Sequence, residues 1–324
     1  MKKLAITMGD PGGIGPEIVV KAISSEEIRS MCAPVVIGDR PVMEEVLKLL
    51  DLPAHVRLLR SPDGYDPARG FINLIDLGES KDFKKRKATA GGGRASAAYI
   101  SAAVTLALGK NVDGIVTAPI SKKALKMAGM NWPGHTEMLA DLTDTDEYAM
   151  MLTGGPLTVM LVTIHTALKN VPHLITRENV LRTIRLAKRA CVMLGIENPR
   201  IAVAGLNPHA GESGIFGDEE VKEIIPAVED AKREGIPVAG PFPADTVFHR
   251  AYKEEIDIVV CMYHDQGLIP LKMVAFDKGV NVTVGLPFVR TSPDHGTAYD
   301  IAWKGKADPS SMIEAIKLAS RLRV

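Results

Sequence analysis

Short apolar, β-branched runs alternate along this chain with longer stretches in which apolar residues recur at helical spacing. LAITM (4–8) precedes PEIVVKAIS (16–24), and PVVIG (34–38) precedes PVMEEVLKLL (41–50). ASAAYISAAVTLAL (95–108) leads to DGIVTAP (113–119), and SKKALKMAG (121–129) follows. Later, LTVMLVTIH (157–165) comes before ENVLRTIRLAKRACVMLG (178–195). RIAVAGL (200–206), EEVKEIIPAVEDAKREG (219–235) and IDIVVCMY (256–263) continue the series. Alternation of this kind predicts βαβ units, hence an α/β fold with parallel or mixed sheets flanked by helices. The loop AGMNWPGHTE (128–137) interrupts the rhythm near residue 130. The final helical run, SSMIEAIKLASRL (310–322), is expected to pack back onto the first part of the chain. Two lobes with a cleft between them follow: residues 1–130 with 295–324, and residues 131–294. The glycines at 91–93 read as a flexible entry to a helix beginning near Arg94.

Length and charge narrow the partners. A chain of 324 residues exceeds one core of ordinary size. Lys plus Arg and Asp plus Glu both number 39, so neither a nucleic-acid footprint nor a charged tail is present. The one cationic cluster, KDFKKRK (81–87), reads as a solvated loop, or more weakly as a lure for anionic substrates. Cys32, Cys191 and Cys261 lack metal-ligand spacing and read as core residues. The N-terminal apolar run ends after a handful of residues at a glycine turn, and no run reaches about 18 apolar residues. A soluble cytoplasmic protein is the expectation, with no membrane partner.

Three histidines, His165, His209 and His264, each lie just past a strand-like run. Ligands of parallel sheets bind at the carboxyl ends of the strands, where three imidazoles can hold a divalent metal with a position left open. Each alone reads more readily as a hydrogen-bonded histidine at a strand end, and it is the setting shared by all three that points to a ligand set. Asp265, beside His264, is a candidate acid/base or a loop-shaping residue. Thr136 in GHTE (134–137) offers a substrate contact or a helix cap. Lys272, Asn281 and Arg290 punctuate LKMVAFDKGVNVTVGLPFVRT (271–291), where a break near Gly285 and Pro287 lets their side chains face one way. Arg and Lys suit a carboxylate or phosphate. TMGDPGGIGP (7–16) lacks the Rossmann glycine spacing, and is either a structural turn or a ligand loop. The polar segment 294–309 wraps a cofactor or crosses the surface.

TMGDPGGIGPE, TAPISK, GHTE, LNPHAGE, PADT, YHDQG, GVNVTVGLPFVRTSPDHGTA and GKAD occur in this order over the whole chain. Together they resemble the 4-hydroxythreonine-4-phosphate dehydrogenase family of vitamin B6 biosynthesis. The loop HGTAYDIAWKGKADP also resembles the adenine-side loop of isocitrate and isopropylmalate dehydrogenases, to which the family is similar in fold. The resemblance implies a divalent metal (zinc, magnesium, cobalt or manganese) on His165, His209 and His264. It implies substrate contacts from His135, Thr136, Lys272, Asn281 and Arg290, and an NAD or NADP contact from His295, Gly296, Thr297 and Ala298. Asp245 or Asp265 would accept the hydroxyl proton. A homodimer is implied, its interface on the lobe with the metal ligands and its site shared between subunits. The implied reaction oxidises 4-phosphooxy-L-threonine at its C3 hydroxyl, then loses CO2 to give 3-amino-2-oxopropyl phosphate. Relatives acting on 4-phospho-D-threonate or 4-phospho-D-erythronate carry the same motifs.

Overall fold

The computed structural model describes residues 1–323, which hold twelve strands. In chain order these begin β1 (Lys2–Thr7), β2 (Cys32–Gly38), β3 (His55–Leu58), β4 (Phe71–Asp76), β5 (Gly114–Thr117) and β6 (Ala149–Gly154). They continue β7 (Leu157–Leu161), β8 (Ile201–Ala204), β9 (Val238–Phe242), β10 (Ile258–Cys261), β11 (Val280–Val284) and β12 (Val289–Pro293). The chain divides into two compact units. The first is Met1–Asp146 with Leu286–Leu322, and the second is Glu147–Gly285 with Arg323.

In the first unit the strands run β3-β4-β2-β1-β5-β12, all parallel. Every residue of β2, β5 and β12 is buried, the signature of strands covered on both faces. The helix Ala90–Leu108 contains Gly91, Gly92 and Gly93, so these are part of the helix and not a flexible entry. Thr89 caps it, its hydroxyl accepting from Gly92 N at 3.0 Å. A Cβ on Gly93 would stand 2.1 Å from the carbonyl oxygen of Ala124, so glycine here lets the helix Lys122–Met127 approach.

In the second unit the order is β11-β6-β7-β10-β8-β9. β11, β6 and β7 are antiparallel neighbours, whereas β7, β10, β8 and β9 run parallel. Leu152, Val159, Leu161, Val259, Cys261 and Leu271 form the centre of its core. All three cysteines are buried and unpaired with one another. Among the described residues no helix is long and apolar enough to cross a membrane.

The division between units falls at 146/147 and 285/286, not at 130 and 294/295. The helix His135–Leu142 packs against Ala90–Leu108, and β12 pairs with β5, so both stay with the first unit. His135, Thr136 and Arg290 therefore belong to the first unit, while Lys272 and Asn281 belong to the second. The break foreseen near Gly285 and Pro287 separates β11 from β12.

Candidate functional site

In the second unit, strand order decides which histidines meet. β7 and β10 are parallel neighbours, with Leu161 opposite Cys261, so the chain leaves both at the same edge. Val162 N donates to Cys261 O at 2.9 Å, and Thr163 bonds Met262 O through both its amide and its hydroxyl. His165 and His264 follow directly, and their ring centroids lie 5.7 Å apart. The Nδ1 of His264 is 2.6 Å from the Asp265 carboxylate. A carboxylate on Nδ1 fixes the tautomer and leaves Nε2 as the ligating nitrogen. The two rings line a half-open groove of about 510 Å³ with Ile164, Thr166, Leu168, Val171 and Tyr263.

His209 does not join this pair. It follows β8, the other neighbour of β10, but residues 209–213 all have positive φ, between 41° and 77°. This left-handed path wraps the buried carboxylate of Glu220, which accepts from Asn207 N at 2.7 Å and Asn207 Nδ2 at 2.9 Å. The His209 ring instead faces Phe216, with centroids 6.2 Å apart. Among the described residues no three His, Cys, Asp or Glu side chains form a ligand set. By donor chemistry, the His165–His264 pair with its carboxylate support suits a divalent ion, and two imidazoles leave room for further ligands. Asp245 is exposed in the first turn of the helix Ala244–Tyr252. Lys272, in the helix His264–Ala275, and Asn281, on β11, are half-buried. Gln266, which the sequence did not single out, ties the strand ends together. Its side chain accepts from Met262 N and donates to Gly205 O, both at 2.7 Å.

The first unit holds a second cluster. Arg290, on β12, is 1% exposed and donates to Thr117 Oγ1, at the end of β5, at 2.7 Å. Burial pulls its guanidinium down to about 9, opposed by the Glu137 carboxylate. His135 opens its helix, and Gly134 occupies the cap position, so Thr136 is not the cap. Burial, and then the Arg290 charge, hold His135 well below the ordinary histidine range, so it is neutral at pH 7. Its Nε2 is buried with no hydrogen-bond partner among the described residues. A buried cation, an unsatisfied neutral imidazole and the Thr136 helix start together suit an anionic oxygen.

His295 and Gly296 are exposed and Thr297 and Ala298 half-buried, in a segment that runs over the N-terminal glycine loop. Ile14 N donates to Thr297 O at 3.0 Å, and Trp303 Nε1 to Pro11 O at 3.0 Å. Cβ atoms on Gly12 and Gly13 would collide with Lys84 O at 2.6 Å and with Thr297 Cβ at 2.9 Å. Protein atoms thus fill the hollows of the glycine loop, and of the two readings the structure favours the structural turn.

A profile of the family described as "Pyridoxal phosphate biosynthetic protein PdxA" matches residues 30–319. A 4-hydroxythreonine-4-phosphate dehydrogenase of Trichlorobacter lovleyi is 50% identical over 326 residues, covering 99% of this chain and 97% of that protein. A D-threonate 4-phosphate dehydrogenase of Pectobacterium atrosepticum is 47% identical over 324 residues, 99% of each chain. The crystal structure of a 4-hydroxythreonine-4-phosphate dehydrogenase from Klebsiella pneumoniae matches with a TM-score of 0.91 at 44% identity, covering 98% of both chains. At 15% identity, an isocitrate dehydrogenase from Methylococcus capsulatus matches with a TM-score of 0.51, covering 99% of this chain and 88% of that one. The fold is therefore the α/β fold of the isocitrate dehydrogenases. Within that fold, the chain belongs to the PdxA family.

Proposed function

We propose that this protein is a nicotinamide-dependent dehydrogenase that oxidises 4-phosphooxy-L-threonine at its C3 hydroxyl. The resulting β-keto acid loses CO2 to give 3-amino-2-oxopropyl phosphate, a step in pyridoxal phosphate synthesis. The observation that carries this reading is Arg290. A guanidinium 1% exposed stands near a neutral His135 whose buried Nε2 has no hydrogen-bond partner among the described residues, a pairing that suits an anionic oxygen, and the substrate brings a phosphate and a carboxylate. His135 donates or accepts a hydrogen bond through its buried Nε2, and the Thr136 helix start adds its amide dipole. Lys272 and Asn281 are further substrate contacts.

His165 and His264 would hold a divalent ion of the zinc, magnesium, cobalt or manganese type, with the remaining positions open to further ligands. When bound, such an ion supplies a Lewis acid to the substrate oxygen, lowering the alcohol's pKa. Asp265 would orient His264, and Asp245 is the residue that would accept the C3 hydroxyl proton, the bound nicotinamide supplying the hydride acceptor. His295, Gly296, Thr297 and Ala298 contact NAD or NADP. The protein acts as a homodimer. Ile269, Met273 and Phe276 form an exposed apolar stripe along and just past the helix His264–Ala275, close in sequence to His264.

A second reading, oxidation of 4-phospho-D-threonate or 4-phospho-D-erythronate, is favoured by the 47% identical Pectobacterium relative. The experiment follows reduced nicotinamide at 340 nm with metal-loaded protein, NAD or NADP, and each of the three substrates. Higher kcat/KM on the amino substrate supports the first reading, and higher kcat/KM on a sugar acid supports the second. No reduction with any of them refutes both.

A further inference from the structure

The structure points to a positioning device in the first unit that joins the two ends of the sequence. Asp10 is fully buried, and its two carboxylate oxygens have separate tasks. Oδ1 accepts from Gly12 N at 2.8 Å, which shapes the local turn. Oδ2 accepts from the Tyr299 hydroxyl at 2.5 Å, across 289 positions of sequence, which no turn requires. Burial pushes the Asp10 carboxyl up, and the Tyr299 and Gly12 bonds hold it back. A Cβ on Gly92 would stand 2.8 Å from Asp10 Oδ1, so the neighbouring helix is cut away to admit this carboxylate.

Tyr299 lies between two anchored stretches, since on its N-terminal side Thr297 O accepts from Ile14 N at 3.0 Å. On its C-terminal side, Trp303 stacks on Phe83 with ring centroids 6.1 Å apart, and Lys85 Nζ lies 4.3 Å from the centroid of the Trp303 ring. Arg86 Nη2 donates to Asp300 O at 3.2 Å. On its N-terminal side, Ala298 has φ +40°, a left-handed conformation that alanine rarely adopts. Such a conformation persists only where the surroundings impose it. Ile301 N and Ala302 N fasten Ala298 O at 3.1 and 3.0 Å, and the Asp10–Tyr299 bond fixes the adjoining side chain. Beyond Ala298 the chain continues to the exposed His295 and Gly296.

We propose that Asp10, acting through Tyr299, is a positioning residue for the nicotinamide cofactor because it sets the course of His295–Ala298. This rests on the reading above that His295–Ala298 contacts the cofactor. Asp10 itself touches no cofactor. Without the bond, Ala298 relaxes from its left-handed conformation and the exposed residues before it shift.

The test compares Tyr299→Phe, Asp10→Asn and His295→Ala in the full-length protein. Kd for NADH and for NADPH is read from nucleotide fluorescence, alongside substrate KM and Tm. Tyr299→Phe removes one hydroxyl and keeps the ring, so it is the variant least prone to misfold. The expected result is a rise of about ten-fold in Kd of the preferred nucleotide for Tyr299→Phe and Asp10→Asn, with the double variant no worse than either alone. Substrate KM stays within about two-fold, since the lost bond acts on the cofactor segment alone. If His295→Ala weakens nucleotide binding and Tyr299→Phe does not, the positioning role is overturned while the cofactor reading stands. If His295→Ala leaves Kd unchanged, the cofactor reading itself falls, and the proposal with it. A parallel loss of Tm and substrate affinity in Tyr299→Phe also overturns it, since that marks a general structural brace.

Discussion

Replacing Arg290 with methionine is expected to stabilise the ligand-free protein while weakening substrate binding. The guanidinium is 1% exposed, and burial pulls it from its ordinary value down to about 9. Between those values the unfolded chain still holds the proton and the folded chain does not, so stability rises with pH only above about 9. Below that, both states carry the charge and the whole cost of burying it is present at neutral pH. At 1.36 kcal/mol per pH unit, that downward shift corresponds to roughly 5 kcal/mol. Methionine loses the bond to Thr117 together with the guanidinium's other contacts, the Glu137 attraction among them, and leaves the Thr117 hydroxyl buried, which returns about 2–3 kcal/mol. A net gain of about 2 kcal/mol remains, within the range seen when a buried ion gives way to an apolar side chain of similar volume. It corresponds to a Tm higher by about 4–8 °C for a unit of this size. Loss of a charge-assisted contact worth about 1.5–3 kcal/mol raises substrate KM by about 10- to 100-fold. Scanning calorimetry with and without inorganic phosphate, together with steady-state kinetics, reads both effects. Phosphate should raise the Tm of the parent protein and not of the variant, because only the parent binds it in the folded state. A lower Tm with an unchanged KM would refute the reasoning, for it would make Arg290 a satisfied structural cation.

His135 gives a pH signature with a defined sign. Its folded pKa lies below the ordinary value, so stability is complete above about pH 6.5 and falls as the unfolded imidazole takes up a proton below it. His135→Gln should flatten urea-derived stability between pH 6.5 and 5.5 by up to about 1.4 kcal/mol, and parallel curves for the two proteins would rule this out. Asp265→Asn should weaken divalent-metal affinity by about 10- to 100-fold in a chelator competition, because the His264 ring loses its orienting carboxylate. Equal affinity would remove Asp265 from that role. Met273→Asp with Phe276→Asp, both at exposed positions, should yield a monomer by sedimentation velocity with the far-ultraviolet spectrum intact. A persistent dimer would place the interface elsewhere.

How far the sequence reached depends on whether a feature is written locally or across the sheet. β1, β2, β5, β7, β8 and β10 were legible because parallel strands buried on both faces read as continuous apolar runs. β3 was not, since none of its four residues is buried, nor was β9, whose VAGPF carries a glycine and a proline. His165 and His264 were legible as strand-end residues, but their meeting depends on β10 lying next to β7, an order that chain sequence does not state. His209 obeyed the same local rule and stayed apart, because the path of its loop follows the buried Glu220 carboxylate eleven positions later and not the strand. The same logic separates the KDFKKRK run from Arg290, both in the first unit. KDFKKRK is conspicuous as charge, yet Lys85 and Arg86 are engaged with Glu45, the Trp303 ring and the Asp300 carbonyl. Arg290 is a lone cation in an apolar run, and its partner Thr117 lies 173 residues away. A single charge buried within a strand, near an imidazole nitrogen that has no partner among the described residues, is therefore a stronger pointer to an anionic ligand than a run of exposed charges.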